Sequence, residues 1–213
     1  MSDTNQPKEQ VRKRLLEQRT GISQAEFYGA SADIIERLKQ QPEYQSAHII
    51  HCYVSMNERR EVETQELIRE MLRKSKQVVT PVTNIEDRTL THFLLQSFDD
   101  LQENKWGVLE QEDGTKVDPG QLDLVIVPMV AADERCHRMG YGKGFYDRFL
   151  SQVDCFKIGL TYEQNVVEEL PVDDYDVPMD KIITEERTIQ SLINWYILRN
   201  KSVVQFVPTA VDQ

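Results

Sequence analysis

The sequence holds no apolar run long enough to span a bilayer, so a membrane-spanning helix is not expected. Cysteine is scarce: Cys52, Cys136 and Cys155 are odd in number and widely separated, and no disulfide framework is suggested. Histidine is sparse as well. His48 and His51 lie beside Cys52 in AHIIHCYV, yet that spacing is no recognised zinc pattern. Packed or solvated rings are the expectation for both, and for His92 and His137. Basic charge is in deficit, with 25 Lys and Arg against 36 Asp and Glu, a net charge of −11 and a pI of about 4.9. A broad nucleic-acid footprint is therefore not expected, although a local basic cluster still suffices for a phosphate-bearing ligand. The first residues, MSDTNQPKEQ, lack the apolar core of a secretory signal, so cytoplasmic residence is the default expectation.

What is present is the composition of a folded domain: 213 residues, 39% hydrophobic and 29% charged, enough for one full core. Residues 1–7 read as a polar tail. KEQVRKRLLEQR, 8–19, predicts a basic helix with Val11, Leu15 and Leu16 on one stripe. Ser23 followed by Glu26 is a capping box that opens a second helix running to about Lys39. Strands are predicted at 47–54, 77–82, 90–96, 122–128, 156–162 and 181–184, with an amphipathic helix at 62–74 between the first two. A further helix is expected to carry Ile189, Leu192, Ile193 and Tyr196 on one stripe. Strands alternating with helices predict a single three-layer α/β/α domain over 8–193 with a mostly parallel sheet, followed by an extension over 194–213. Ligands of such sheets sit beyond the carboxyl ends of the strands.

One segment there carries chemistry. In RMGYGKGFYD, 138–147, Gly140, Gly142 and Gly144 alternate and Lys143 stands between the last two. Glycines let backbone approach a ligand closely, and successive amides can form an anion nest. The loop is neither a Walker A sequence nor a Rossmann fingerprint. Spacing alone leaves two readings open: a phosphate cradle, or a tight turn with solvated charges.

The segment RMGYGKGFYDRFL resembles the signature of the 5-formyltetrahydrofolate cyclo-ligase family. Four more segments resemble the family in the same order along the chain: KEQVR at 8–12, EVET at 61–64, WGVLEQ at 106–111 and LPVDDYDVPMDKIITE at 170–185. The resemblance implies a reaction in which ATP, with Mg2+, phosphorylates the formyl oxygen of 5-formyltetrahydrofolate. N10 then attacks, phosphate leaves, and 5,10-methenyltetrahydrofolate and ADP result. It implies that Lys8 and Arg12 bind ATP together with Arg138, Met139, Gly140, Tyr141, Gly142, Lys143, Gly144, Phe145 and Tyr146, with Lys143 and Arg138 catalytic. Asp147 and Asp180 would share the metal. Val54, Met56, Glu61 and Trp106, with Tyr141 and Phe145, would hold the folate. A solvated helix face for Lys8 and Arg12, capping for Asp147 and Asp180, and plain core for the aromatics are the competing readings.

Three positions depart from the family pattern. Cys136 stands where a glycine is usual, Gln111 stands where a proline is usual, and two extra residues fall between Ser55 and Glu61. Two other classes remain open: a ligand-binding regulator without turnover, and a sugar-phosphate enzyme that needs no ATP. Small-molecule substrates are the expected partners, with a monomer as the default and neither nucleic acid nor membrane among them.

Overall fold

The computed structural model describes residues 6–190. The chain opens with α1 (Lys8–Thr20), α2 (Gln24–Lys39) and the short α3 (Pro42–Ser46). It then alternates through β1 (Ile49–Cys52), α4 (Gln65–Arg73), β2 (Gln77–Asn84) and β3 (Thr89–Leu95). A small hairpin, β4 (Gln102–Glu103) and β5 (Leu109–Glu110), precedes β6 (Leu124–Pro128), β7 (Ala131–Asp133) and β8 (Arg138–Met139). The rest is α5 (Phe145–Leu150), β9 (Phe156–Leu160), β10 (Val166–Val167), β11 (Lys181–Ile183) and β12 (Thr188–Gln190).

Seven strands form the central sheet in the order β12-β11-β9-β6-β1-β2-β3. Its pairings are parallel except at the two edges, where β12 and β3 run antiparallel to their neighbours. Alternation of side chains sorts the residues into layers. Ile50, Cys52, Leu124, Ile126 and Ile158 face Phe27, Ile34 and Leu38 of α2 and Leu67, Ile68 and Met71 of α4. Val79, Val125, Val127 and Ile182 face Phe149 and Leu150 of α5 together with Met179. Burial on both faces explains the unbroken apolar run of β6. The expected three-layer α/β architecture is what the chain forms.

Two local features set up the ligand end. At the start of α2, the Glu26 N–H donates to Ser23 Oγ at 3.2 Å and the Ser23 N–H donates to the Glu26 carboxylate at 2.9 Å, completing the capping box. Helix α1 buries Val11 and Leu15 against Val130, Ala131, Met139 and Leu170. Those partners belong to, or lie beside, a second, three-stranded sheet, β10-β7-β8, which follows directly from the carboxyl end of β6. The basic helix is thereby fixed at the sheet's ligand end.

Strand β11 pairs with β9, which separates it from β6. One expectation is corrected. Ile189 lies in β12 and not in a helix: it is buried between exposed Thr188 and Gln190, a period of two, and pairs with Ile182. Leu192, Ile193 and Tyr196 lie outside the described residues, as do residues 1–5 and the extension at 194–213. Among the described residues no helix is long and apolar enough to cross a membrane.

Candidate active site

Beyond the carboxyl ends of β1, β2 and β6 lies a cleft of about 1250 Å³. Its walls come from distant parts of the chain: Lys8 and Arg12 of α1, Val54, Met56 and Glu61 after β1, Pro81 and Thr83 of β2, Trp106 and Glu110 of the small hairpin, and the glycine-rich loop.

The loop's conformation needs its glycines. Gly142 and Gly144 have φ of 80° and 73°, in the left-handed region that side chains disfavour. A Cβ at Gly142 would also lie 2.9 Å from Cζ of Arg12. Arg12 thus lies directly on the loop, and its Nε donates to Gly140 O at 2.9 Å. Lys8 is held at the same end by Asp173, at 2.7 Å, and by Asp176. Lys143 is exposed on the loop and lines the cleft. Behind it, buried Arg138 is ion-paired with Asp147 in the first turn of α5, while its Nε has no hydrogen-bond partner. Phe145 and Tyr146 also line the cleft, and the Tyr146 hydroxyl is buried without a partner. Met139, by contrast, is buried in the α1 cluster and reaches the site only through its backbone neighbours.

On the other wall, Glu61 is 4% exposed. Its Oε2 accepts the Met56 N–H at 2.8 Å, and its Oε1 accepts the Tyr141 hydroxyl at 2.8 Å. Burial pushes the Glu61 carboxyl above its ordinary range, opposed first by the Arg19 charge and then by these two hydrogen bonds. Trp106 is 51% exposed at the rim, with the Lys105 amine 4.4 Å from its ring centre. Tyr141 joins the two walls: it belongs to the loop, yet its hydroxyl reaches Glu61.

Asp180 is not brought to this site, which corrects the shared-metal expectation. It does not line the cleft. Its carboxylate accepts the Lys157 N–H at 2.8 Å, and its own N–H donates to Lys157 O at 3.0 Å, at the amino end of β9. The segment preceding it leaves the cleft at Val177 and Pro178 and crosses the sheet face through buried Met179. Asp147 and Asp180 therefore sit toward opposite ends of the strands.

The three departures are each accommodated. Cys136 adopts φ of 66°, so the turn keeps the left-handed conformation without glycine. It is over-determined by buried Asp133, whose Oδ1 accepts the N–H groups of Arg135 and His137, both at 2.9 Å. Gln111 turns inward, accepting the Thr80 hydroxyl at 2.9 Å. That leaves neighbouring Glu110 in the cleft wall, where it accepts the Thr83 N–H at 2.9 Å. Between Ser55 and Glu61, where the extra residues fall, the chain makes a 3-10 turn, Asn57–Arg59, closed by Arg60 at φ of 54°. This loop folds back so that Glu61 still meets Met56. Sequence reasoning missed Arg19, the hairpin residues Pro81, Thr83 and Leu90, and Glu110. For Arg19 there was a signal, since it extends the i, i+4 series Val11, Leu15 into a third buried position.

Fold and cleft together define a three-layer α/β protein whose cleft spans a glycine-rich loop and a buried acid. Residues 4–185 match the 5-formyltetrahydrofolate cyclo-ligase family, and the chain belongs to it. It is 31% identical to the 5-formyltetrahydrofolate cyclo-ligase of Escherichia coli K12, over 71% of this chain and 85% of that protein. It is 28% identical to a probable 5-formyltetrahydrofolate cyclo-ligase of Schizosaccharomyces pombe, over 76% of this chain and 87% of that protein. Among solved structures, the 5,10-methenyltetrahydrofolate synthetase of Aquifex aeolicus superposes with a TM-score of 0.77 at 32% identity, covering 86% of this chain and 92% of that one.

Proposed function

We propose that this chain converts 5-formyltetrahydrofolate to 5,10-methenyltetrahydrofolate with consumption of ATP. The observation that carries the reading is the composition of one cleft. Lys8, Arg12, Arg138 and Lys143 gather around a glycine-rich loop on one wall, and a buried carboxylate, Glu61, stands on the other. An anionic phosphate chain suits the first wall. The donor edge of a pterin, an amine beside a ring N–H, suits the second, because a carboxylate accepts both at once.

The chemistry asks for position and charge neutralisation more than for acid or base. The γ-phosphoryl group passes to the formyl oxygen. N10 then attacks the activated carbon and gives up its proton, and the oxygen departs with phosphate. Lys143 and the loop amides neutralise charge on the transferring group. The unpartnered Nε of buried Arg138 gains a bond when an acceptor enters, which removes an unmet donor. Trp106 and Phe145 cover the apolar rings.

A magnesium ion fits this donor set in one way. Among the described residues no three Asp, Glu, His or Cys side chains converge as a metal cage. Asp147 stands in the first turn of α5 beside the loop, while Asp173 and Asp176, which also line the cleft, are paired with Lys8; magnesium commonly takes one or two carboxylates and completes its shell with waters and phosphate oxygens. When bound, the ion supplies further neutralisation of phosphate charge.

The test is direct. Purified protein given 5-formyltetrahydrofolate and Mg-ATP should develop the methenyl chromophore, and only with ATP present. Folded protein that leaves 5-formyltetrahydrofolate unchanged overturns the reading.

A further inference from the structure

Helix α1 carries a basic residue that, unlike Lys8 and Arg12, does not line the cleft. Arg19 is 1% exposed, and a guanidinium so placed is tolerated only when its donors are met. They are met by three separate segments. Nη1 donates to Met129 O at 2.9 Å, just past β6, and Nε donates to Arg59 O at 3.1 Å, in the loop that holds the extra residues. Nη2 donates to the Tyr141 hydroxyl on the glycine-rich loop. That hydroxyl in turn donates a hydrogen bond to Glu61 Oε1 at 2.8 Å, and Glu61 Oε2 accepts the Met56 N–H at 2.8 Å. The Arg19 guanidinium also lies 5.3 Å from the Tyr141 ring centre, with Arg59 at 5.5 Å.

We propose that Arg19 is a positioning residue for the folate half of the cleft: through Tyr141 it fixes the Glu61 carboxylate, in its ionised form, toward an incoming pterin. The inference rests on the reading of Glu61 as the folate-contacting acid. Two of the carboxylate's lone-pair directions are taken by Tyr141 and Met56, which locks its plane. The remaining directions are left for the ligand. Helix α1 itself is held by Val11 and Leu15 in their own apolar cluster, so the Arg19 guanidinium is free to serve the acid rather than the helix.

The charge of Arg19 matters as much as its geometry. Burial favours the neutral form of Glu61, and the Arg19 charge is the leading effect against it, followed by the Met56 N–H, the Tyr141 hydroxyl and the Arg59 charge. The other titratable groups around it are Tyr53, Tyr146 and Tyr162, whose hydroxyls burial holds in the neutral form. Without Arg19, Glu61 takes up a proton at higher pH. A protonated carboxyl can no longer accept two donors, so folate affinity falls at a higher pH than in the wild type.

A purely structural role predicts something else. A loosened α1 would displace Lys8 and Arg12, weaken ATP binding, and do so at every pH. Dissociation constants for 5-formyltetrahydrofolate and for ATP, measured separately by calorimetry between about pH 5.5 and about pH 8.5, separate the two. In Arg19→Met, folate affinity should drop about tenfold or more near pH 6 and recover toward the wild-type value at the alkaline end. ATP affinity should change little across the range. Tyr141→Phe, which cuts the link without removing a buried charge, should move the folate profile the same way by a smaller amount, and it decides the matter if Arg19→Met does not fold. A pH-independent folate loss, or an equal loss for ATP, overturns the inference. A wild-type protein that binds no folate, or a Glu61→Gln variant that binds it normally, would instead bring down the assignment of the cleft.

Discussion

Lys143 and Glu61 are the residues from which the proposed chemistry asks most, and they differ in how substitution should act. Lys143 is exposed on its loop, so Lys143→Ala should melt like the wild type. Loss of one preorganised charge at the transferring phosphoryl group should lower kcat by about 10²–10³, with a smaller change in the apparent KM for ATP. Steady-state kinetics beside a melting curve check both halves. Glu61→Gln keeps the shape but accepts at one end only, so folate binding should weaken by about tenfold to a hundredfold while ATP binding holds. Titration of each ligand decides; equal losses would mark Glu61 as structural. Cys136 is a third case. At φ of 66° any side chain is strained, so Cys136→Gly, which loses core contacts but relieves the backbone, should melt no lower than Cys136→Ala. Most of these residues were legible because the family signature runs through them. Arg19 was legible only in its spacing, which continues the buried Val11, Leu15 series; its role was not, because a charge on a basic helix reads as solvated and only the tertiary fold shows three acceptors converging on it.

At the scale of elements, the sheet was legible where strands bury both faces. β6 stands out as an apolar run, and α2 announces its start through Ser23 and Glu26. The small sheet β10-β7-β8 was invisible, since strands of two or three residues carry too little periodicity to separate from loop. Asp180 was expected at the metal through the family resemblance, but it precedes β11, and in a parallel sheet the residue before a strand lies at the amino end, away from the ligand. The two aspartates should therefore separate on mutation. Asp147→Asn should raise the magnesium needed for half-maximal rate. Asp180→Asn should leave that requirement alone and cost about 0.5–1.5 kcal/mol of stability, through the bond to the Lys157 N–H. Magnesium titrations beside melting curves test this, and a raised magnesium requirement in Asp180→Asn would contradict the placement.

The whole molecule carries a strongly acidic charge, yet its response to acid should be governed by two buried histidines beneath the site. His51 of β1 and His92 of β3 stack on Phe149 of α5, with ring centres 4.6 and 4.2 Å from it, and on each other at 5.1 Å. Both nitrogens of His51 and Nδ1 of His92 lack hydrogen-bond partners. Burial, with His92 adding to it, holds His51 well below its ordinary range, and burial lowers His92 to about 4. The unfolded chain protonates both near pH 6.5, so below that value, and down to the lowered values of the folded rings, it binds more protons than the folded one. Stability must then fall as pH drops from about 6.5 toward about 4, at up to about 1.4 kcal/mol per pH unit for each ring. Glu61 works the other way, since its raised carboxyl lets the folded state take up a proton first, and it offsets part of the loss. The balance is measurable by urea melts across this window. His51→Leu removes two unpaired buried nitrogens, so it should be at least as stable as the wild type near pH 7.5. Its acid slope should be roughly half as steep, because one of the two rings that resist protonation is gone. A variant that keeps the full slope would show that acid acts elsewhere, through carboxylates on the surface and not through the layer that seats α5 and its glycine-rich loop.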